Sequence, residues 1–179
     1  MSAERDSGMD ARGEAVTVRA LEERDIPVLL ALAREIWFAH YPGIITVAQI
    51  EYMLSQRYRT EVVRSELQRN DVWWELATIH DQAVGFSSCL LTGTSAEMKL
   101  DKLYVSTERQ GQGVGRALLA AVRARARRLG CTRLILAVNK RNASAIAAYR
   151  QWGFRIERAV VSDIGGGFVM DDYQMVLAL

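Results

Sequence analysis

The apolar pattern starts late. No Val, Ile, Leu, Phe, Trp or Tyr occurs before Val16, while Glu4, Arg5, Asp6, Asp10, Arg12 and Glu14 keep the opening segment polar. A stretch that buries no apolar surface does not repay the entropy of ordering, so residues 1–14 are expected to form a disordered leader ahead of one domain over 15–179. Residues 16–21 (VTVRAL) alternate at period two and predict a strand. Asp25 then stands as the cap of a helix carrying Ile26, Leu29, Leu30, Ala33, Ile36 and Trp37 on one face. After an aromatic and apolar turn over residues 40–45 (HYPGII), Thr46 caps a second helical stretch with Val47, Ile50, Met53 and Leu54, and residues 60–69 extend or follow it.

The period changes in the middle of the chain. Residues 72–80 (VWWELATIH), 83–91 (AVGFSSCLL) and 97–105 (EMKLDKLYV) are β-rich runs separated by Asp81-Gln82 and Thr92-Gly93-Thr94, which predicts an antiparallel meander. Helical spacing returns over residues 113–129 with Val114, Leu118, Leu119, Val122, Ala126 and Leu129, and Gly130 stops it. Residues 133–138 (RLILAV) read as a strand buried on both faces, residues 142–152 as a helix closed by Gly153, and residues 154–161 and 168–179 as two more strands around Gly165-Gly166-Gly167. The order β-α-α-β-β-β-α-β-α-β-β describes an α/β (α+β) chain: one mixed, mostly antiparallel seven-stranded sheet flanked by helices.

Charge and cysteine usage then remove function classes. The 179 residues suffice for one domain, and 50% hydrophobic content supplies its core. Twenty-three Lys and Arg against 21 Asp and Glu leave +2, too balanced for a nucleic-acid coat or a polybasic membrane anchor, so an anion site has to be local. The arginines at 123, 125, 127 and 128 accordingly read as a solvated helix back. Cys89 and Cys131 sit far apart in apolar runs and read as buried thiols; their spacing fits neither a disulfide framework nor a metal site. The longest apolar stretch, residues 26–33, is short and contains Pro27, so a soluble cytoplasmic protein is expected.

The candidate chemistry lies in residues 102–119 (KLYVSTERQGQGVGRALL), a strand that enters an amphipathic helix through a loop with three glycines. Glycines let backbone approach a ligand, and the unpaired N–H groups of a first helical turn point at an anion, which makes a pyrophosphate cradle to which Arg116 adds a cation. No Gly-Lys-Ser/Thr follows, which excludes a nucleotide P-loop. The preceding strand belongs to a late hairpin meander with no acidic residue ending a following strand, which excludes a dinucleotide fingerprint.

The element order over nearly the whole chain, and the motifs of residues 100–154, resemble the GNAT superfamily of acetyl-CoA-dependent N-acetyltransferases. Gln110-Gly111-Gln112-Gly113-Val114-Gly115 matches its R/Q-x-x-G-x-G/A signature, and Asn139, Asn142, Ala145, Tyr149, Gly153 and Phe154 match its N-x-x-N-x-x-A-x-x-x-Y-x-x-x-G-F element. The resemblance implies the GNAT acyl-CoA N-acyltransferase fold, acetyl-CoA as cosubstrate and no metal. It implies further that the 110–116 backbone and Arg116 hold the pyrophosphate. Leu103, Tyr104 and Val105 would pair with the pantetheine, together with Asn139, Asn142 and Ser144. The Val105 N–H would face the acetyl carbonyl, and Tyr149 would protonate the departing thiolate.

The general base departs from the family pattern. A strand position that carries a glutamate in histone-type relatives holds Lys99, whereas Asp101 occupies a position that carries a carboxylate in polyamine-type relatives, so Asp101 is the first candidate for base or amine-orienting group. Ideal alternation puts Glu97, Lys99, Asp101 and Leu103 on one face, and the bulge that relatives have here would alter that parity. Glu35, Trp37, His40 and Tyr41, with Glu51 and Tyr52 further on, are the candidates for holding an ammonium-bearing acceptor, and His40 is a second candidate base. Of Trp73 and Trp74, one is expected in the core and the other at the acceptor groove or a subunit contact. The expected function is acetyl transfer to a small, polyamine-like primary amine by direct attack in a ternary complex. Protein lysine or N-terminal amine is the rival acceptor, and a CoA-binding sensor without turnover the rival class. No nucleic-acid or membrane partner is expected, and the terminal strands suit a homodimer.

Overall fold

The structure, a computed structural model, describes residues 6–9 as backbone and residues 14–94 and 96–179 in full. Its strands are β1 (Asp6–Met9), β2 (Ala15–Ala20), β3 (Val72–Ile79), β4 (Gln82–Leu91), β5 (Glu97–Val105), β6 (Arg133–Asn139), β7 (Arg155–Gly165) and β8 (Phe168–Ala178). They form one sheet in the order β1-β2-β3-β4-β5-β6-β8-β7, antiparallel throughout except between β5 and β6. The helices are α1 (Ile26–His40), α2 (Val47–Arg57), α3 (Thr60–Leu67), α4 (Val114–Arg128) and α5 (Ala143–Gln151).

Seven strands are those expected, and β1 is an eighth. Of the expected leader, residues 1–5 and 10–13 lie outside the described residues, but Asp6–Met9 pairs with β2, Asp6 opposite Val18 and Met9 opposite Ala15. A strand that completes an open sheet edge needs backbone hydrogen bonds and no apolar side chain, so the hydropathy pattern carries no trace of it. Glu14 is likewise tied down, 2.6 Å from Arg109. Thr46 caps α2 as expected, accepting from the Gln49 N–H at 3.2 Å. Asp25 precedes α1 but its carboxylate turns back, taking two bonds from Arg19 at 2.6 and 2.8 Å and the Glu22 N–H at 2.9 Å.

Helices cover both faces, which is why β3 is buried along nearly its whole length. Trp74, Leu76 and Phe86 pack under α1, α2 and α3 with Leu29, Ile36, Trp37, Ile50 and Val63. On the other face Val114, Leu118, Leu119, Val122 and Ala126 of α4 meet Ala77, Val84, Cys89, Met98 and Leu134, with Ile146 of α5 beside them. Leu129 completes the helical spacing but is 47% exposed. Arg125 leaves the expected solvated back of α4 and bonds Glu75, itself 2% exposed, at 2.9 Å.

Two irregularities in β5 make the site. Its parallel pairing with β6 runs only from Glu97 opposite Arg133 to Lys99 opposite Ile135, after which the two strands part. A bulge against β4 sets Lys102 opposite Ser88 and Leu100 opposite Cys89, leaving Asp101 as the extra residue. The bulge switches the alternation. Lys99 and Asp101 before it, and Lys102 and Tyr104 after it, lie on the α1–α3 side, while Leu103 leaves the face it would share with Asp101 on an ideal strand.

Candidate active site

The parting of β5 and β6 opens a cleft of about 1030 Å3 that runs from the start of α4 to the ends of α1 and α2. The Ser106 N–H bonds the Val84 carbonyl of β4 at 2.8 Å, so alternation turns the backbone groups of Val105 and Leu103 away from β4, toward the gap that β6 has left. At one end, Gly111 and Gly113 take φ of 75° and 89°, values that an L side chain adopts only under strain, and a Cβ on Gly111 would meet nothing within 4 Å. The first N–H of α4 bonded back into the helix is that of Ala117, to Gly113 at 3.0 Å, so those of Val114, Gly115 and Arg116 remain for an anion. Gly115 serves packing instead, because a Cβ there would stand 3.1 Å from the Trp152 ring, and its absence lets α4 and α5 approach.

This end fits a pyrophosphate on backbone alone, with Arg116 exposed at its rim. Of the other expected coenzyme contacts, Leu103, Tyr104, Val105, Gln110, Gln112, Asn139, Asn142 and Ser144 all line the cleft, while the Val114 side chain is fully buried in the core. Asn142 spends its carbonyl oxygen on capping α5, accepting from Ala145 N–H at 3.3 Å and Ser144 Oγ at 3.2 Å, which leaves its amide group for a ligand. Tyr149 lies edge-on to Trp152 and Phe154 at 5.7 and 5.5 Å, and burial pushes its phenol above the ordinary tyrosine value, so it stays protonated.

At the other end stands an aromatic wall. Trp37 is 2% exposed, with Tyr41, Tyr58 and Tyr104 around it at 4.6, 5.7 and 5.7 Å, and the Tyr41 and Tyr104 hydroxyls lie 3.1 Å apart. His40 packs edge-on to Tyr41 at 5.1 Å and lines the cleft. Glu35 does not: it precedes the inward pair Ile36 and Trp37 and points to solvent. Glu51 is exposed, and Tyr52 is structural, its hydroxyl bonding the Ile164 carbonyl at 2.9 Å and its ring resting on Phe168 at 5.3 Å. Of the tryptophan pair, one is in the core as expected and the other is not at the acceptor groove. Trp74 is core, but Trp73 lies under Arg125 at 5.3 Å and outside the cleft.

One carboxylate and three cations complete the wall. Asp101 is clamped by Lys99 at 2.7 Å and Lys102 at 2.6 Å, with Arg57 at 4.0 Å. Burial by itself would raise its carboxyl, but the Lys102 and Lys99 ammonium groups outweigh that and hold it well below the usual carboxylate range. A carboxylate so firmly ionised binds a proton poorly, and its charge is already matched. Arg57, Tyr58, Ile164, Met170 and Asp172 line the same end and were not expected there. Their strands and helix were legible, but nothing local marks a side chain that meets the cleft through the β7–β8 hairpin.

The Acetyltransferase (GNAT) family model matches residues 31–154, a span that holds the glycine loop, the parted strands and the Tyr149 helix. The chain belongs to the GNAT acetyltransferase family. A spermidine N(1)-acetyltransferase of Thermoplasma acidophilum is 26% identical over 161 residues, covering 88% of this chain and 96% of that one. A peptidyl-lysine N-acetyltransferase of Escherichia coli is 34% identical over 116 residues, covering 63% and 71%. The crystal structure of the PaiA N-acetyltransferase of Thermoplasma acidophilum in complex with coenzyme A superposes with a TM-score of 0.80 at 24% identity, over 92% of this chain and 99% of that one, and shows the same fold. This GNAT chain is therefore an enzyme of acyl transfer to amines. Among its described residues no helix is long and apolar enough to cross a membrane.

Proposed function

We propose that the protein transfers the acetyl group of acetyl-CoA to a small primary alkylamine, polyamine-like in charge, by direct attack in a ternary complex. The observation that carries this reading is the continuity of one cleft: free helix N–H groups at one end, the open backbone edge of Leu103 and Val105 in the middle, and an aromatic wall with acidic groups at the other. Bound acetyl-CoA supplies the acetyl group as a thioester with an electrophilic carbonyl carbon. The N–H groups following Gly113 and the Arg116 side chain hold the diphosphate. The amide of Asn142 and the edge of β5 align the pantetheine arm. The Val105 N–H donates to the carbonyl oxygen where negative charge develops, and Tyr149 donates its phenol proton to the leaving sulfur. Asp101, fixed and ionised, shapes the field at the acceptor end and keeps Lys99 and Lys102 from repelling an incoming ammonium. Both cysteines are buried, and burial pushes the Cys89 thiol up, so neither suits an acyl-enzyme route.

A lysine side chain presented by a protein shares the chemistry of the acceptor and is the second reading, supported by the Escherichia coli relative. Purified protein with acetyl-CoA and a panel of spermidine, a lysine-bearing peptide and a peptide with a free N-terminus separates them by thiol release. Faster turnover of spermidine supports the proposal; turnover confined to a peptide replaces it; coenzyme binding without thiol release from any amine points to a sensor.

A further inference from the structure

Asp172 lies on β8, opposite Asn139 of β6 and Val160 of β7. Alternation along β8 turns Met170 and Asp172 into the cleft and Asp171 away from it, where Asp171 pairs with Lys140. Oδ1 of Asp172 is closed off from solvent and has no hydrogen-bond partner among the described residues. That is the reverse of Asp101, both of whose oxygens are taken by lysines. A buried carboxylate oxygen without a partner is costly, and because the Asp172 side chain is half-buried and lines the cleft, a turn about its own side-chain torsions offers that oxygen to a donor there.

The charges around Asp172 come from four directions. Lys99 approaches from β5, Arg57 from α2 and Lys140 from the turn after β6, while Asp171 adjoins it on β8 and the Tyr41 hydroxyl stands within its field. Burial first, and Asp171 second, lift its carboxyl above the ordinary aspartate value, and the three cations do not cancel that lift. Of the two carboxylates at this end of the cleft, Asp172 is the one with an oxygen not held by a lysine and with a raised carboxyl, and so the better suited to take a proton.

We propose that Asp172 is the carboxylate that receives the acceptor's ammonium group and removes its proton. This rests on the reading of the protein as an alkylamine acetyltransferase. One N–H bond of the ammonium breaks and its proton passes to Asp172. The nitrogen lone pair so freed forms the C–N bond at the thioester carbonyl. When the C–S bond breaks, sulfur keeps the electron pair and takes the Tyr149 proton, a second proton from nitrogen restores the phenol, and Asp172 returns its proton to water. Ammonium and thioester yield amide, thiol and one proton.

The test compares wild type with Asp172→Asn and Asp172→Glu, using the better of spermidine and a lysine-bearing peptide as acceptor. The asparagine matches aspartate in size and breaks no hydrogen bond at Oδ1, and unchanged acetyl-CoA affinity certifies the fold. Near neutral pH, Asp172→Asn should lower kcat/KM by about 100-fold or more, and the deficit should shrink as pH approaches the amine pKa of about 10.4 and solution removes the proton instead. Asp172→Glu should recover part of the activity, and calorimetry without coenzyme should show weaker acceptor binding to Asp172→Asn. An Asp172→Asn enzyme within about threefold of wild type, with the same pH profile and acceptor affinity, overturns the assignment while leaving the function intact. A wild-type protein that releases no thiol with any of these amines overturns the functional reading and this one with it.

Discussion

Asp101→Asn isolates what the double lysine clamp does. The substitution keeps size and removes one charge, leaving Lys102, whose side chain is 6% exposed, without its partner at 2.6 Å. What remains for Lys102 is Glu66 at 3.9 Å and the Trp74 ring at 4.7 Å, both already in place. Removing one member of a buried pair costs about 3–5 kcal/mol, and the residual Glu66 contact puts this case near about 3 kcal/mol. Lys99 is 35% exposed and adds at most a few tenths, about 0.5 kcal/mol. For a domain of this size the loss corresponds to a fall in Tm of about 6–12 °C. Urea unfolding of the wild type and the variant measures it directly. Because the folded Asp101 carboxyl titrates below its unfolded value, its contribution is fully present above about pH 4 and is lost as pH falls further, so the two unfolding curves should converge in acid. Adding Lys102→Met to Asp101→Asn removes the stranded ammonium and should restore most of the stability. A difference below about 1 kcal/mol that does not change with acid would refute the clamp and return Asp101 to candidacy as a base.

Three further outcomes follow from the geometry. Tyr149→Phe should lower kcat by about 100-fold with acetyl-CoA affinity unchanged, read by stopped-flow thiol release and calorimetry, since in the proposed reaction the phenol acts on the leaving sulfur. Gly113→Ala forces φ of 89° on a residue with a Cβ, a strain of about 1–2 kcal/mol, and should weaken acetyl-CoA binding by about 5–30-fold in a fluorescence titration. Gly166→Ala would set a Cβ 2.7 Å from the Tyr52 ring at a φ of 64°, so the hairpin between β7 and β8 should shift; lower acceptor affinity with normal coenzyme affinity would mark that shift.

What the chain discloses locally, and what it does not, divides along a physical line. The apolar spacing of α4, the glycines before it and the Asn142 cap of α5 are each encoded within a dozen residues, so the local geometry of the glycine-loop end of the cleft was readable in detail. The parting of β5 from β6 depends on where a non-local pairing stops, after Lys99 and Ile135, and no local period encodes that. The bulge at Asp101 inverted the parity of Leu103, which is why Asp101 joined Lys102 in a clamp instead of standing free. Glu35 looked suited to an ammonium by charge alone, yet one position along a helix is about 100° of rotation, enough to aim it at solvent. Asp172 was hidden in an ordinary alternating strand, adjacent to a second aspartate, and only the fold separates the solvent-facing one from the one in the cleft. Pairing of β1 along β2 left no hydropathy signal because it is made of backbone.

In the proposed reaction one continuous cleft brings acetyl-CoA and an alkylammonium acceptor together for direct transfer. Initial rates of thiol release, measured with acetyl-CoA and spermidine both varied, test it most directly. Turnover with intersecting double-reciprocal lines is the expected result, as a ternary complex requires. Parallel lines would demand an acyl-enzyme, and tight coenzyme binding with no release from any amine would contradict direct transfer altogether.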